Sequence, residues 1–439
     1  MPTFDTSTPA VLVRLDRNPF HHGTLGAVRS LGRAGIEVHA VVESRRSPVV
    51  RSRHLRGAHP RPPGETDLAG VRRLLLSVSD HVGRPAVLVP LDDVSAIAAG
   101  RLRDGLAGRY LLPDQPSGLA ERVADKAELV AVCEALGVPH PRTALPGSAA
   151  QAAAAARALG LPAVAKWSRP WLIPEGSGLR STCLVRTARE ARDLYARGAE
   201  AGSRLLLQEF LPPGRGLDWF FHGYAGRDAS CPLGATGRKE RSWPVDAGLT
   251  AVGRWLPNPA VESAARRLVA ALGYRGILDL DFRLDPGTGA YHLLDFNPRP
   301  GAQFRLFTDR SGLDVVRALH LDLTGRRVPA QTPAYGRSFV VENYALLSLA
   351  ASLAAPGRRR AGAPAPGAPP AARPRTEAAW FAADDPGPAA AMAAAWTLHA
   401  ARRVLPGVRA AGAPAARTGA PAAAVPRPAR DDDPVATAS

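Results

Sequence analysis

The sequence predicts an α/β protein: a parallel-sheet domain at the N-terminal end, a second region of helices and strands from about 120, and a low-complexity C-terminal extension. Three observations carry this. Short apolar runs alternate with helical patterns between residues 11 and 119. From 120 onward, helices and strands follow one another with Gly/Pro-rich breaks, and two strand patterns flank DPGTG as a hairpin. After about 355 the chain turns to Pro, Ala, Gly and Arg.

The elements follow in order. AVLVRL and IEVHAVV are strands. Between them HHGTLGAVRSLGRAG is a turn and a helix, with Leu25, Val28 and Leu31 on one side. VLVP, 87–90, is a third strand, ending at Asp92 and Asp93. The loop after the first strand has Gly23 and Gly26 but no GxGxxG, which gives a dinucleotide site little support. DKAELVAVCEALG is a helix through Leu136 with Gly137 as its C-cap. An Ala-rich helix runs to about Gly160, and AVAKWS is a strand bearing Lys166. PEGSGLRSTCLV is a turn leading into a strand; LLLQEFL and LDWFFHGY are strands on either side of PPGRG. A helix near 260–272 precedes the hairpin. The expected division is 1–119, 120–205, 206–335 and 336–439, the last largely disordered around a helical, Trp-containing island at 376–405.

Composition narrows the function. The 439 residues carry a formal charge of +17, but the basic residues are dispersed, with no stripe and no interleaved aromatics. A specific nucleic-acid partner is not expected, only a general attraction to polyanions. Of 56 basic residues only Lys126, Lys166 and Lys239 are lysines. A lysine kept in an Arg-dominated chain suggests a place that needs a compact, flexible point charge. Cys133, Cys183 and Cys231 are far apart, with no metal spacing, and read as free thiols in a reducing compartment. No segment has the length and apolarity of a membrane span, and the N-terminus lacks a signal-peptide pattern, so a cytoplasmic location is expected. The His21–His22 pair reads as surface or, being placed after a strand end, as a substrate contact.

The hairpin carries the chemistry. In GILDLDFRL, Leu278, Leu280, Phe282 and Leu284 share a face; in HLLDFNPRPG, Leu294 and Phe296 do. Matching the apolar faces puts Asp279, Asp281 and Arg283 on the same side as Asp295 and Asn297. Like charges opposed across strands are destabilising. Arg283 or Arg299 could neutralise them, as could a hard divalent ion taking oxygen ligands and substrate phosphates. The sequence leaves open which aspartate faces Asp295.

The order of these motifs, from about residue 10 to 330, resembles the ATP-grasp superfamily, specifically its carboxylate–amine ligase branch and, in the stretch GTLGAVRSLGRAGIEVHAV, its D-aspartate ligase-like group. The resemblance implies a Rossmann-like pre-ATP-grasp domain followed by an ATP-grasp fold of two α+β subdomains. It implies ATP with Mg²⁺, or Mn²⁺ in its place, as cofactors, and small-molecule carboxylate and amine substrates. Residue by residue, Lys126 and Lys166 match the family's nucleotide lysines, Gly176, Ser177 and Gly178 its phosphate loop, and Gln208, Glu209 and Leu211 its adenine hinge. Asp218 matches its ribose acid and Lys239 its γ-phosphate cation. Asp281, Asp295 and Asn297 match its magnesium ligands, and Arg299 its catalytic arginine; Asp279 has no counterpart. The expected function is ATP-dependent amide or peptide bond formation through an acyl phosphate. The alternatives are a carboxylase or phosphotransferase of the same fold, and a non-catalytic nucleotide-binding scaffold. No membrane partner is expected, and a homodimer is compatible with the sequence.

Overall fold

The computed structural model describes residues 2–16, 18–62, 67–244, 248–354 and 375–404. The first sheet takes its strands from β1 (Ala10–Val13), with α1 (His22–Gly32), β2 (Val38–Val42), β3 (Gly57–Pro60), α2 (Leu68–Val82), β4 (Ala86–Pro90), α3 (Asp93–Arg101) and β5 (Tyr110–Leu111). Its order is β3-β2-β1-β4-β5 and every pair is parallel. The central strands are continuous apolar runs because helices cover the sheet: β1, β2 and the first four residues of β4 are buried. The β3 strand, GAHP, has no apolar signature; backbone pairing to β2 makes it a strand.

Two helices, α4 (Leu119–Ala124) and α5 (Lys126–Leu136), lead out of this sheet. Asp125 caps α5 by accepting from the Ala127 and Glu128 N–H groups, and Gly137 ends it at φ +61. The next sheet is built from β6 (Thr143–Ala144), α6 (Ala149–Leu159), β7 (Ala163–Trp167), β8 (Thr182–Val185), α7 (Ala188–Ala196), α8 (Gly198–Ala201) and β9 (Leu205–Glu209). Its strand order is β6-β9-β7-β8, all antiparallel, with a core around Trp167, Leu205 and Leu207.

The third sheet holds β10 (Asp218–Ala225), β11 (Leu233–Trp243), β12 (Leu249–Trp255), α9 (Pro259–Leu272), β13 (Gly276–Leu284), β14 (Tyr291–Asn297) and α10 (Val315–Leu323). It continues through β15 (Ser338–Val340), α11 (Glu342–Ala354), β16 (Thr376–Ala378) and α12 (Gly387–Val404). The order is β14-β13-β10-β11-β12-β15-β16, antiparallel up to β15, with β16 parallel to β15 at the edge. Helix α9 packs Val261, Ala265, Leu268 and Val269 against Phe221, Leu278, Leu280 and Phe296.

Two expectations need correcting. The chain beyond 335 is not merely an appendage: residues 338–340 and 376–378 add strands to the third sheet, and Trp380 is buried. Backbone pairing, not composition, brings these residues in. The expected disorder of 355–374 and of the tail beyond 404 lies outside the described residues. The second correction concerns the hairpin face. Leu293, not Leu294, sits opposite Phe282, because β14 carries one extra residue, Leu294, between Leu293 and Asp295. A bulge of this kind inserts one residue and turns the following side chain over. Residues up to 393 belong to one compact unit, and α12 continues past its end. Among the described residues no helix is long and apolar enough to cross a membrane.

Candidate active site

The site is assembled from three strands and one helix N-terminus. On the β13–β14 hairpin, Asp281 lies directly opposite Asp295, and Asp279 opposite Asn297. That settles the register the sequence left open. On the other side of β13, β10 brings His222 opposite Asp279.

Both lysines of the second region reach this hairpin. Lys126 Nζ lies 2.7 Å from Asp295 Oδ1, and Lys166 Nζ lies 3.6 Å from Asp295 Oδ2. Lys166 also donates to the Leu294 carbonyl at 3.1 Å, the residue at the bulge. Their convergence has a local cause. The Lys126 N–H donates to the Ser168 carbonyl at 2.8 Å, and Arg169 Nε donates to Asp125 at 2.7 Å. These bonds fasten the start of α5 to the end of β7, so the lysines one residue past the cap and one residue before the strand end face the same carboxylate.

The electrostatics are uneven. Burial alone would raise the Asp295 carboxyl, but Lys126 and Lys166 outweigh it and hold it at about 2. Asp281 is pushed up to about 6 by burial and by the charges of Asp279 and Asp295, with Lys239 and Arg299 opposing. Burial pushes Lys166 down, and Lys126 adds to it, against the pull of Asp295. Lys126 moves the other way: burial would lower it, but Asp295 and Asp93 outweigh burial and raise it.

Arg299 leaves the hairpin by way of the NPRPG loop. Its Nη1 donates to Asp279 Oδ2 at 2.9 Å, and its Nε lies 3.3 Å from Asp93 Oδ1 at the start of α3. Gly301 is required beside it: a Cβ there would stand 2.4 Å from His222 Cε1 and 2.7 Å from Asp279 Oδ2. On its outer side the loop meets α1, where a Cβ on Gly23 would stand 2.8 Å from the Ala302 Cα.

The remaining candidates are placed as follows. Lys239, on β11, donates to the Gly248 carbonyl at 3.0 Å and bears electrostatically on Asp281. Gly176, Ser177 and Gly178 form a turn before β8, with both glycines at positive φ and the Ser177 carbonyl accepting from Arg197. Gln208 donates to Thr143 at 2.9 Å, Glu209 accepts from Arg142 at 2.6 Å, and the Leu211 carbonyl accepts from Arg283 at 2.9 Å. Asp218 accepts from Arg283 at 2.6 Å. The structure therefore gathers Lys126, Lys166, Asp281, Asp295, Asn297 and Arg299, with Lys239 near enough to act on Asp281. Arg283, a candidate counter-ion for the hairpin, serves Asp218 instead. His21 caps α1, and His22 is buried against Phe339 and Tyr344, so the pair is not a surface feature. Strand β15 and helix α11, absent from the expected fold, cover it.

Sequence reasoning missed His222 and the part played by Asp93. The signal for His222 was present: FFHGY is an apolar strand with one polar residue, and it pairs with the strand that carries the aspartates.

A divalent ion can be tested against the donor set. Among the described residues no three His, Cys, Asp or Glu side chains cluster tightly enough to cage a metal by themselves. Two opposed carboxylates and the Asn297 amide oxygen suit a hard ion that takes its other ligands from phosphate and water. Asp281 is raised first by burial and then by Asp279 and Asp295, an environment that a bound cation would relieve.

No family model matches the chain. Over 244 residues, 51% of the chain, it is 25% identical to the carbamoyl phosphate synthase large chain of Deinococcus radiodurans, and the match spans 22% of that protein. The biotin carboxylase domain of Hydrogenobacter thermophilus 2-oxoglutarate carboxylase, solved with MgADP and bicarbonate, superposes with a TM-score of 0.57 at 17% identity, covering 77% of this chain and 74% of that one. The L-amino acid ligase of Bacillus licheniformis gives 0.56 at 14% identity, covering 76% and 79%. The N5-carboxyaminoimidazole ribonucleotide synthetase of Thermus thermophilus gives 0.54 at 19% identity, covering 75% and 81%.

Proposed function

We propose, from the ATP-grasp fold that the chain carries, that it is an ATP-dependent carboxylate–amine ligase releasing ADP and phosphate. The observation that carries this reading is the meeting of Lys126 and Lys166, from two separate elements, on the metal-type hairpin of Asp281, Asp295 and Asn297.

Each residue has a role in this reading. Asp281, Asp295 and Asn297 would hold Mg²⁺, or Mn²⁺ in its place, which when bound neutralises phosphate charge. Lys126 and Lys166 exchange Asp295 for the nucleotide phosphates. Lys239 and Arg299 stabilise charge on the phosphoryl group in transit. The turn at Gly176, Ser177 and Gly178 offers backbone N–H groups to phosphate oxygens and excludes water. Gln208, Glu209 and Leu211 line the base end, and Asp218 faces the ribose. A substrate carboxylate oxygen attacks the γ-phosphorus, the bond to ADP breaks, and an acyl phosphate forms. An amine then attacks the acyl carbon, phosphate leaves, and the amine loses a proton to give the amide.

A second reading has support of its own. Two of the three structural neighbours named are carboxylases or carboxyamino synthetases, so bicarbonate belongs among the carboxylates tested. The experiment is ADP and phosphate release from Mg²⁺-ATP over a panel of carboxylates and amines, amino acids of both hands and bicarbonate included. Turnover requiring a carboxylate and an amine together is the expected result. Turnover with bicarbonate but with no amino acid would replace this reading with the carboxylase one. ATP binding without turnover over the whole panel would favour a nucleotide-binding scaffold.

A further inference from the structure

We infer that Asp279 and His222 are a positioning pair: His222 packs against the Asp279 carboxylate, and that carboxylate fixes Arg299 and the side-chain amide of Asn297. The inference rests on the ligase reading and adds to it two residues that the ATP-grasp resemblance leaves without a role.

The geometry is specific. His222 Nε2 lies 2.9 Å from Asp279 Oδ1, a close contact whose angles are not those of a hydrogen bond. The other oxygen, Oδ2, accepts from Arg299 Nη1 at 2.9 Å and from Asn297 Nδ2 at 3.4 Å. Asn297 Nδ2 also donates to the Asp279 backbone carbonyl at 3.3 Å. One carboxylate thus connects an arginine placed for phosphoryl transfer to an amide placed for metal binding. His222 is 1% exposed and Asp279 4%. The imidazole is boxed by Phe220 and Phe307, with ring centroids 5.4 and 5.0 Å away. The missing Cβ of Gly301 lets the NPRPG loop close directly over both groups.

A buried acid–base pair is a poor way to fill space. Replacing such a pair with apolar side chains is often neutral or stabilising, so its presence calls for another reason. Here the reason is orientation. Arg299 has two acids within reach, Asp279 through Nη1 and Asp93 through Nε. A guanidinium held by a charge-assisted hydrogen bond at Asp279 and an ion pair at Asp93 has one orientation; with Asp279 neutralised, it is free to turn toward Asp93. In the same substitution Asn297 would keep only a neutral amide oxygen as its side-chain acceptor, a weaker partner than a carboxylate. Small displacements matter in phosphoryl transfer, since misplacing a group by about 1 Å can cost roughly 10²-fold in rate.

The test compares wild type, Asp279→Asn, His222→Gln, Arg299→Lys and the double variant Asp279→Asn/Arg299→Lys. It measures steady-state kinetics, melting temperature, and Mg²⁺-ADP affinity by calorimetry. Asp279→Asn should lower kcat by roughly 10- to 100-fold and weaken Mg²⁺-ADP binding several-fold through Asn297, with KM for ATP rising by no more than that several-fold factor. The double variant should be no slower than Arg299→Lys alone by more than about twofold, because residues acting as a unit are not additive. His222→Gln should give a smaller loss in the same direction, and it carries the test if Asp279→Asn does not fold. Additive losses in the double variant overturn the inference. So does a lowered melting temperature with wild-type kcat per folded molecule and unchanged Mg²⁺-ADP affinity. If wild type binds no nucleotide, the ligase reading fails and this inference falls with it; normal wild-type turnover with unaffected variants sinks the inference alone.

Discussion

Two pairs of aspartates in this protein meet opposite fates. Asp384 and Asp385 lie where the C-terminal segment docks on the first sheet, and each has its own partners. Asp385 accepts from Arg29 at 2.9 Å, Ser52 at 2.8 Å and the Arg53 N–H at 2.9 Å. Asp384 accepts a two-pronged contact from Arg33 at 2.9 and 2.6 Å. Hydrogen bonds and cations hold both carboxyls below their ordinary range, against burial. Asp281 and Asp295 face each other across the hairpin instead; Lys126 and Lys166 pair with Asp295, while burial and the neighbouring acids dominate at Asp281, so one carboxyl sits at about 2 and the other at about 6. Neighbouring acids can be ordinary structure when each is satisfied. Opposed acids with divergent affinities for protons suggest a site, because folding alone gains nothing from the conflict. The cations differ in the same sense: arginine forks at the clamp that Arg29 and Arg33 form on Asp385 and Asp384, lysine point charges at the hairpin.

The largest effect should come from breaking the hairpin. Asp295→Ala should reduce ATP-dependent turnover on the order of 10³-fold, since metal-type charge stabilisation is worth several kcal/mol. ADP-release assays beside a thermal melt will show whether the loss occurs without unfolding. Breaking the clamp should do the reverse. Arg29 and Asp385 are 5% and 2% exposed in their side chains, and removing one partner of such a pair costs about 3–5 kcal/mol. Urea unfolding of Arg29→Ala should report that loss, with activity per folded molecule unchanged.

An intermediate effect should appear in pH dependence, with opposite signs for the opposed acids. Asp281 has a raised carboxyl, so its contribution is present below the unfolded value of about 4 and is lost as pH rises through about 6. Asp295 is depressed, so its contribution is present above about 4 and is lost as pH falls through about 2. Asp281→Asn should therefore raise the melting temperature above pH 6 and leave it nearly unchanged below pH 4. Mg²⁺ should stabilise wild type more at pH 8 than at pH 5, and Asp281→Asn should remove most of that difference. The smallest effect belongs to the exposed arm of the clamp: Arg33→Ala should cost about 0–1 kcal/mol, because its partner Asp384 is half in solvent.

The two regions also differ in how far the sequence reveals them. The hairpin is legible because strand alternation puts its polar residues on one face, and the helix from Lys126 to Leu136 is legible from its cap residues. The convergence of Lys126 and Lys166 is not, since it depends on the Lys126–Ser168 and Asp125–Arg169 contacts across the fold. The bulge that turns Leu293 inward breaks the alternation on which the register argument relies. The docking segment was legible as a Trp-containing island, but its partners were not. TEAAWFAADDP follows a low-complexity stretch, and only pairing of β16 with β15 and the reach of Arg29 from α1 give it a place in the core.

The most direct test is calorimetric titration of Mg²⁺-ATP into wild type, Asp295→Ala and Lys166→Ala. The account predicts saturable, Mg²⁺-dependent binding to wild type and a loss of at least about tenfold in each variant, the equivalent of about 1.4 kcal/mol. Equal binding by all three proteins, or no binding by wild type, would contradict the assignment of this hairpin as a metal–phosphate site.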